Sequence, residues 1–320
     1  MSVFRMSIGI TGARGFIGSY LTRHLLARKC PDVRLLFRSA SGIEAAEGAE
    51  MVAGDLHSRA DCERFAADLR VIYHLAHTNT PVNSDYDQPN DALVNLVPLL
   101  NLLGAVKDLG TKPHIVYFSS GGAVYGPKQD RVPYRETDAC LPFSSYGIQK
   151  LAAEHYLRLA AQRGYLTATV LRAGNGYGTL LPRHRLQGLI GVAINDVLHG
   201  RPVRIFGNLD NVRDYVHLDD LCAMAELAAR PREPFTVVNV GSGRGHSVRD
   251  VLRMIEELHG EPLQIQTDAK HGEWLADWVV LNPAKAEREF GWTPRVELRS
   301  GIEGMLSARR DEIRAGIVTA

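Results

Sequence analysis

The sequence predicts an α/β protein, a doubly wound parallel sheet with a smaller C-terminal substrate lobe. Three features carry that expectation. Short aliphatic runs alternate with amphipathic stretches of roughly 10 to 20 residues through the first half of the chain, the pattern of βαβ units. Glycines at 12, 15 and 18 form a turn between the first such run and the first amphipathic stretch. After Arg172 the rhythm breaks, and Gly174, Gly176, Gly178 and Pro182 mark a loop leading into shorter, irregular elements.

Residues 7–10 read as the first strand. Residues 18–29 read as a helix because Leu21, Leu25 and Leu26 share one face. Strands follow over 33–37 and 71–75, then a long helix over 87–109. Residues 114–118 are expected as a strand, 146–162 as a helix and 167–171 as a strand. The run 235–240, FTVVNV, is expected to return to the sheet as a buried strand. Two later helices are expected over 247–258 and 300–310. This order makes 1–172 a dinucleotide-binding domain and 173–320 mainly a substrate-binding lobe, apart from the strand at 235–240. Ligands of such sheets bind outside the C-terminal strand ends.

The chain has 320 residues, 45% hydrophobic and 23% charged, enough to bury a substantial core. Its 37 basic and 36 acidic residues nearly cancel, which argues against a general nucleic-acid or membrane-surface binder. No apolar run is expected to reach the roughly 20 residues of a membrane span. The N-terminus runs directly into the first strand with no signal-like segment. Cys30, Cys62, Cys140 and Cys222 lie far apart without a CxxC pair, so a reduced, cytoplasmic protein is expected.

A glycine turn between strand and helix lets the backbone approach a pyrophosphate, and the helix N-terminus favours its charge. Gly12, Arg14, Gly15, Phe16, Ile17 and Gly18 are therefore expected to hold a dinucleotide. Leu75 and Ala76, at the end of the strand over 71–75, are expected to line the same crevice. Asp55, followed by Leu56, suits an adenine-edge contact, or is an ordinary turn residue. The end of the second strand carries Arg38 where an acid would hold the ribose hydroxyls. Arg38, with Arg14, offers a partner for a 2′-phosphate, or else stacks on adenine or faces solvent.

Tyr146 and Lys150 stand at i and i+4 and share a face of the expected helix. A tyrosine with a pKa near ~10 is a poor base at neutral pH. An ammonium and a positive nicotinamide beside it favour the phenolate, so its pKa is expected to move toward the working range. Lys150 also has the reach to hold the nicotinamide ribose.

Together these motifs resemble the extended short-chain dehydrogenases/reductases, in the branch of the nucleotide-sugar epimerases, over nearly the whole chain. The resemblance rests on the glycine turn, on SSGGAVYG from Ser119 to Gly126 and on SYGIQK from Ser145 to Lys150. It is extended by RAGNGYG from Arg172, VRDYVH from Val212, NVGSG from Asn239 and FGWTP from Phe290. It implies a Rossmann fold and a bound NAD(P), NAD by likeness to the epimerases and NADP by Arg38. It also implies that Asn175 and Arg213 contact the diphosphate of a sugar nucleotide, and that Asn95 is an active-site asparagine on the long helix. A homodimer through the helices over 87–109 and 146–162 is implied too; Leu93, Leu96, Leu99, Leu100 and Leu103 make the first unusually apolar.

The chain departs from the family at three places. Gly121 stands where the family has a serine or threonine, which leaves Ser120 as the candidate substitute. Gly122 and Ala123 stand where dehydratases and decarboxylases carry a proton-transferring acid, so those reactions are disfavoured. The late phosphate-binding arginine is replaced by the stretch over 270–274. His74 and His77 do not have the company of a metal site, and none is expected. Asp219 and Asp220 are expected to cap a helix starting at Leu221. Arg183, His184 and Arg185 face either the diphosphate or solvent.

The resemblance implies a nucleotide-diphosphate-sugar 4-epimerase, with a UDP-hexose as substrate. Tyr146 would take the proton of the C4 hydroxyl, the hydride would pass from C4 to nicotinamide, and the 4-keto sugar would turn before the hydride returns. An NADP-dependent reductase of a 4-keto nucleotide sugar is the alternative. A non-catalytic dinucleotide sensor is a third, disfavoured by the Tyr146–Lys150 pair.

Overall fold

The computed structural model describes residues 6–30, 32–38, 47–79, 84–180, 188–268 and 276–316. In chain order it runs β1 (Ile8–Thr11), α1 (Phe16–Ala27), β2 (Val33–Phe37), β3 (Ala49–Ala53), α2 (Arg59–Ala66), β4 (Val71–His74) and α3 (Gln88–Leu109). Then come β5 (His114–Ser120), α4 (Gly121–Val124), α5 (Ser145–Gln162) and β6 (Thr167–Ala173). The later elements are β7 (Asn175–Tyr177), α6 (Leu189–Leu198), β8 (Val203–Phe206), β9 (Val212–His217), α7 (Leu218–Ala228) and β10 (Phe235–Val240). The chain closes with β11 (Gly245–Ser247), α8 (Val248–His259), β12 (Ile265–Asp268), β13 (Trp278–Val279), α9 (Ala284–Phe290) and α10 (Leu298–Arg314).

The chain divides into two compact units. The first comprises Met1–Val124, Cys140–Arg172 and Cys222–Val238, and the second Tyr125–Ala139, Ala173–Leu221 and Asn239–Ala320. Relative to the expected division at 172, the segment Tyr125–Ala139 goes with the second unit. The returning stretch is also longer than β10 and takes in most of α7.

The first unit is built on a seven-stranded sheet in the order β10-β6-β5-β4-β1-β2-β3, with β1 between β2 and β4 in parallel register. Ile10 lies opposite both Leu35 and Tyr73, and Tyr73 opposite Val116. The order reverses at β1 and β4, which opens a crevice beyond their C-terminal ends. Both faces are covered. Ile72 and Ile115 pack with Phe65, Leu99, Leu102 and Leu157 of α2, α3 and α5. Tyr73 points the other way and its phenol donates to the Ala225 carbonyl of α7 at 3.2 Å. This is the expected doubly wound Rossmann sheet.

The long helix α3 corrects one expectation. An 18-residue window of this helix has mean hydropathy 1.5, so by length and composition alone it is long and apolar enough to cross a membrane. The helix packs against α2 and α5. Asp87 N-caps it, accepting from the Asn90 amide at 3.2 Å, and Gly110 ends it in the left-handed region at φ 65°. Helix α7 begins earlier than expected, so Asp219 and Asp220 lie inside its first turn and cap nothing at Leu221. Asp220 is buried and accepts from the Val296 amide at 2.9 Å.

In the second unit, β9 pairs antiparallel with β11 and parallel with β7 and β13. Ile190, Ile194, Tyr215, Leu252, Ile255 and Ile302 form its core. Asn239 is fully buried there, accepting from the Tyr125 phenol at 2.6 Å and donating to the Tyr134 carbonyl at 2.8 Å. It pins the 125–139 segment into this unit.

Candidate active site

The glycine turn follows β1. Gly12 has φ +72°, and a Cβ there would lie 2.6 Å from the Ala76 amide nitrogen. Glycine is therefore required where the turn meets the end of β4. Thr11 reinforces that junction, its hydroxyl bonding His74 Nδ1 at 2.9 Å and accepting from the Ala76 amide at 3.3 Å. Gly15 N-caps α1 with no side-chain cap, and a Cβ on it would meet only Gly12 O, at 3.1 Å. Phe16 and Ile17 open the helix, and Gly18 packs against the Gly12 carbonyl.

The adenosine end is less committed. The Arg14 guanidinium lies over the Phe37 ring, 5.7 Å from its centroid, and Arg38 next to Phe37 is exposed. Asp55 accepts from the His57 amide at 2.9 Å and pairs with the His57 ring at 2.9 Å. The His57 amide above all, with His57's ring and Arg38, holds this carboxyl below the usual range. Leu56 is buried beside it.

The reacting groups come from β5 and α5. Helix α5 starts at Ser145 under the Ser144 N-cap, which puts Tyr146, Lys150 and Glu154 on one face, one turn apart. Lys150 is 4% exposed and its ammonium donates to the Phe118 carbonyl at 2.9 Å. It lies 5.6 Å from the centre of the Tyr146 ring. The Tyr146 phenol is hydrogen-bonded to Ser120. Ser119 turns the other way and donates to Glu154 at 2.6 Å. Of the two serines before the Gly121-Gly122 pair, Ser120 is the one on the tyrosine.

Burial sets the charges here. Desolvation pushes the Tyr146 phenol up to about 12, only partly countered by Ser120. The same effect brings the Lys150 ammonium down to about 7, with Glu154 opposing it. The expected lowering of the tyrosine by its lysine is thus not achieved by the chain alone. A desolvated lysine that is itself half-neutral near pH 7 has little charge to lend.

His77 follows the end of β4 and sets its ring edge-on to Tyr146, with centroids 4.8 Å apart. Its Nε2 is buried and has no hydrogen-bond partner among the described residues. Burial and Lys150 keep its pKa far below the usual histidine value, so the ring is neutral. Among the described residues no histidine, cysteine and carboxylate cluster could hold a metal ion.

A nicotinamide dinucleotide fits these residues. Bare backbone at the start of α1 suits a pyrophosphate, and the orphaned His77 Nε2 beside Tyr146 is a polar atom that a bound group would satisfy. The contacts of Gly12 with Ala76 and of His77 with Tyr146 join both ends along the end of β4.

Asn95 is placed differently from a ligand-facing side chain. Its oxygen accepts from the Thr78 amide at 2.6 Å, and its nitrogen donates to the Asp91 carboxylate and carbonyl at 2.7 and 3.1 Å. In the second unit, Asn175 is exposed on β7, and the Arg213 guanidinium donates to the Val212 carbonyl at 2.8 Å. Burial pulls the Arg213 pKa down, which favours an anionic partner for this cation. The next residue, Asp214, gathers the Ser242 hydroxyl and amide at 2.6 Å and the Gly243 and Leu281 amides at 3.1 Å. The NVGSG stretch thereby wraps a buried carboxylate. Arg183, His184, Arg185 and the stretch 270–274 lie outside the described residues.

Two residues escaped the sequence reading, Glu154 and Asp91, and so did the contact of His77 with Tyr146. Glu154 was findable, because it continues the i, i+4 row of Tyr146 and Lys150. Asp91 was signalled by a carboxylate one turn before Asn95 in an otherwise apolar helix. Nothing in the sequence marks the edge-on packing of His77.

Comparison with known proteins agrees with this geometry. A UDP-glucose 4-epimerase from Mycolicibacterium smegmatis is 33% identical over 303 residues, covering 92% of this chain and 95% of the relative. A dTDP-4-dehydro-6-deoxyglucose reductase from Escherichia coli is 28% identical, covering 97% and 99%. The UDP-glucose 4-epimerase of Thermus thermophilus, solved in complex with NAD, superposes with a TM-score of 0.86 at 32% identity, covering 95% of this chain and 99% of that one. The sequence profile of the NAD dependent epimerase/dehydratase family matches residues 8–241. With that match across the glycine turn, Tyr146, Lys150 and Arg213, the chain is an enzyme belonging to the NAD dependent epimerase/dehydratase family.

Proposed function

We propose that the enzyme is a nucleotide-diphosphate-sugar 4-epimerase acting on a UDP-hexose. The observation that carries this reading is the convergence of Ser120 and Lys150 on Tyr146 at the end of β5, next to β4, whose own end receives the glycine turn. The Gly12–Gly18 turn, Leu75, Ala76 and Lys150 would hold the cofactor. Bound NAD+ supplies the hydride acceptor and a positive ring charge near the phenol. Tyr146 then accepts the proton of the sugar C4 hydroxyl through its oxygen, with Ser120 hydrogen-bonded to the same oxygen. The proton returns to the C4 oxygen when the opposite face of the 4-keto sugar is reduced. Asn175 and Arg213 would keep the diphosphate bound while the hexose turns, because charge-assisted bonds outlast weak sugar contacts.

One observation favours a second reading. Arg14 over Phe37, with Arg38 beside it and no acid at the end of β2, suits a 2′-phosphate, and one relative is named as a reductase. An NADP-dependent reductase of a 4-keto nucleotide sugar would use Tyr146 as the proton donor instead. Incubation with UDP-glucose, followed by NMR, separates the two. Interconversion with UDP-galactose without added reductant supports the epimerase. Stoichiometric NADPH consumption on a 4-keto sugar nucleotide, with no interconversion, supports the reductase.

A homodimer is part of the proposal. Leu93 of α3 and Ile148, Tyr156 and Leu159 of α5 are exposed apolar side chains on the two helices of the expected interface. A cytoplasmic setting is supported by four cysteines that form no disulfide, three of them buried.

A further inference from the structure

We infer that Asp91 is a positioning residue for catalysis, a buried carboxylate that fixes the rotation of α5 and with it the direction of the Tyr146 phenol. This inference rests on the reading of Tyr146 as the catalytic acid–base. Asp91 lies in the first turn of α3 and is 0% exposed. One of its oxygens accepts from the Ser145 hydroxyl at 2.7 Å and the Gln149 amide at 2.5 Å. The other accepts from Asn79 at 2.6 Å and Asn95 at 2.7 Å.

These four donors belong to the segments that enclose Tyr146. Ser145 and Gln149 flank it on α5. Asn79, and Asn95 through the Thr78 amide, hold the run after β4 that carries His77. Two neighbours complete the arrangement: Asp85 accepts from the Ser145 amide at 2.7 Å and Ser84 from the Tyr146 amide at 3.2 Å. Apolar side chains would be sufficient for packing α3 on α5. A buried carboxylate is costly unless all its acceptor sites are used, and what it adds is one fixed register. Tyr146 and His77 are thereby set against each other by one group that touches neither.

The substitution Asp91→Asn keeps the shape but puts an amide where four donors converge. The expected result is a kcat about 10- to 100-fold lower, the loss that a misplacement near 1 Å brings, with KM for UDP-glucose within about twofold. Hydrogen exchange of the Tyr146 and Gly147 amides should accelerate while the core strands stay protected. Adding Gln149→Glu to Asp91→Asn returns a carboxylate to the same contact from the other helix, and should restore part of kcat. Parental kcat and parental exchange in Asp91→Asn would overturn the inference, as would equal loss of kcat and KM without rescue. Gln149→Leu removes one donor only; if Asp91→Asn does not fold, a lower kcat at unchanged KM in this variant supports the inference and a parental kcat overturns it. Tyr146→Phe is measured in parallel. If that variant keeps its turnover, the catalytic reading has failed, and the exchange data alone decide whether Asp91 orders α5.

Discussion

Arg172 grips Glu154 with three hydrogen bonds, from Nη2 at 2.6 Å and from Nε to the two carboxylate oxygens at 3.1 and 3.2 Å, and both side chains are almost wholly buried. Ser119 donates to the same carboxylate, and Lys150 lies one helical turn away. The carboxylate is the group that opposes the loss of charge on Lys150. The ion pair behind the reacting residues therefore sets how much of its charge Lys150 keeps.

Replacing Glu154 with Gln should expose that control. Arg172 would be left buried without its counter-charge, a loss of about 3–5 kcal/mol readable in urea unfolding. The Lys150 pKa should fall below about 7, so activity carried by the ammonium form should be lost at lower pH than in the parent. An unchanged pH–rate profile would disconnect the pair from the site.

Ser120→Ala removes the hydrogen bond that holds the Tyr146 phenol down. The phenol should then rise beyond its present value of about 12. A kcat/KM lower by about 10- to 100-fold is expected, the worth of one hydrogen bond to a charged group. The acidic limb of the pH–rate profile, where the phenol takes up its proton, should move upward. Ser119→Ala should leave that limb in place, because Ser119 bonds Glu154 and not the tyrosine.

Acid should destabilise the protein through histidines buried neutral. Desolvation lowers His114 to about 4 and His74 to about 3, against 6.5 for the free side chain. The folded state binds fewer protons than the unfolded state between those values, so stability rises with pH and is lost as pH falls from 6.5 toward 4. Lys150 adds a second rising window, from about 7 to 10.5. Urea midpoints taken from about pH 4 to 10 test both, and Lys150→Met should flatten the upper window only.

Gly147→Ala probes the seating of α5 on β5 and α4. A Cβ at Gly147 would lie inside contact distance of the Ala123 carbonyl, which is backbone and cannot turn aside. Destabilisation by about 1–3 kcal/mol is expected, as for overpacking elsewhere, together with reduced kcat. Parental thermal unfolding would mean that this end of α5 has slack.

Periodicity made the sheet legible. Residues 33–37 and 235–240 were read to the residue, because aliphatic runs buried on both faces have few alternatives. The start of α7 was misread, since Asp219 and Asp220 look like caps while the chain passes directly from β9 into the helix. Within the site, Tyr146, Lys150 and Ser120 were legible from spacing and resemblance. The electrostatics were not, because a pKa depends on burial and burial depends on packing from distant segments. Asp91 shows the same limit: its four partners come from three places in the chain.

The central claim is that Tyr146 moves the proton at the sugar C4 oxygen while NAD is bound. The most direct measurement is NMR-monitored interconversion of UDP-glucose and UDP-galactose by the purified enzyme and by Tyr146→Phe, with bound cofactor quantified in each. Interconversion by the parent without added reductant, slowed by about 10²- to 10⁴-fold in the variant at equal cofactor content, is the predicted result. A variant that turns over UDP-glucose as fast as the parent would contradict it.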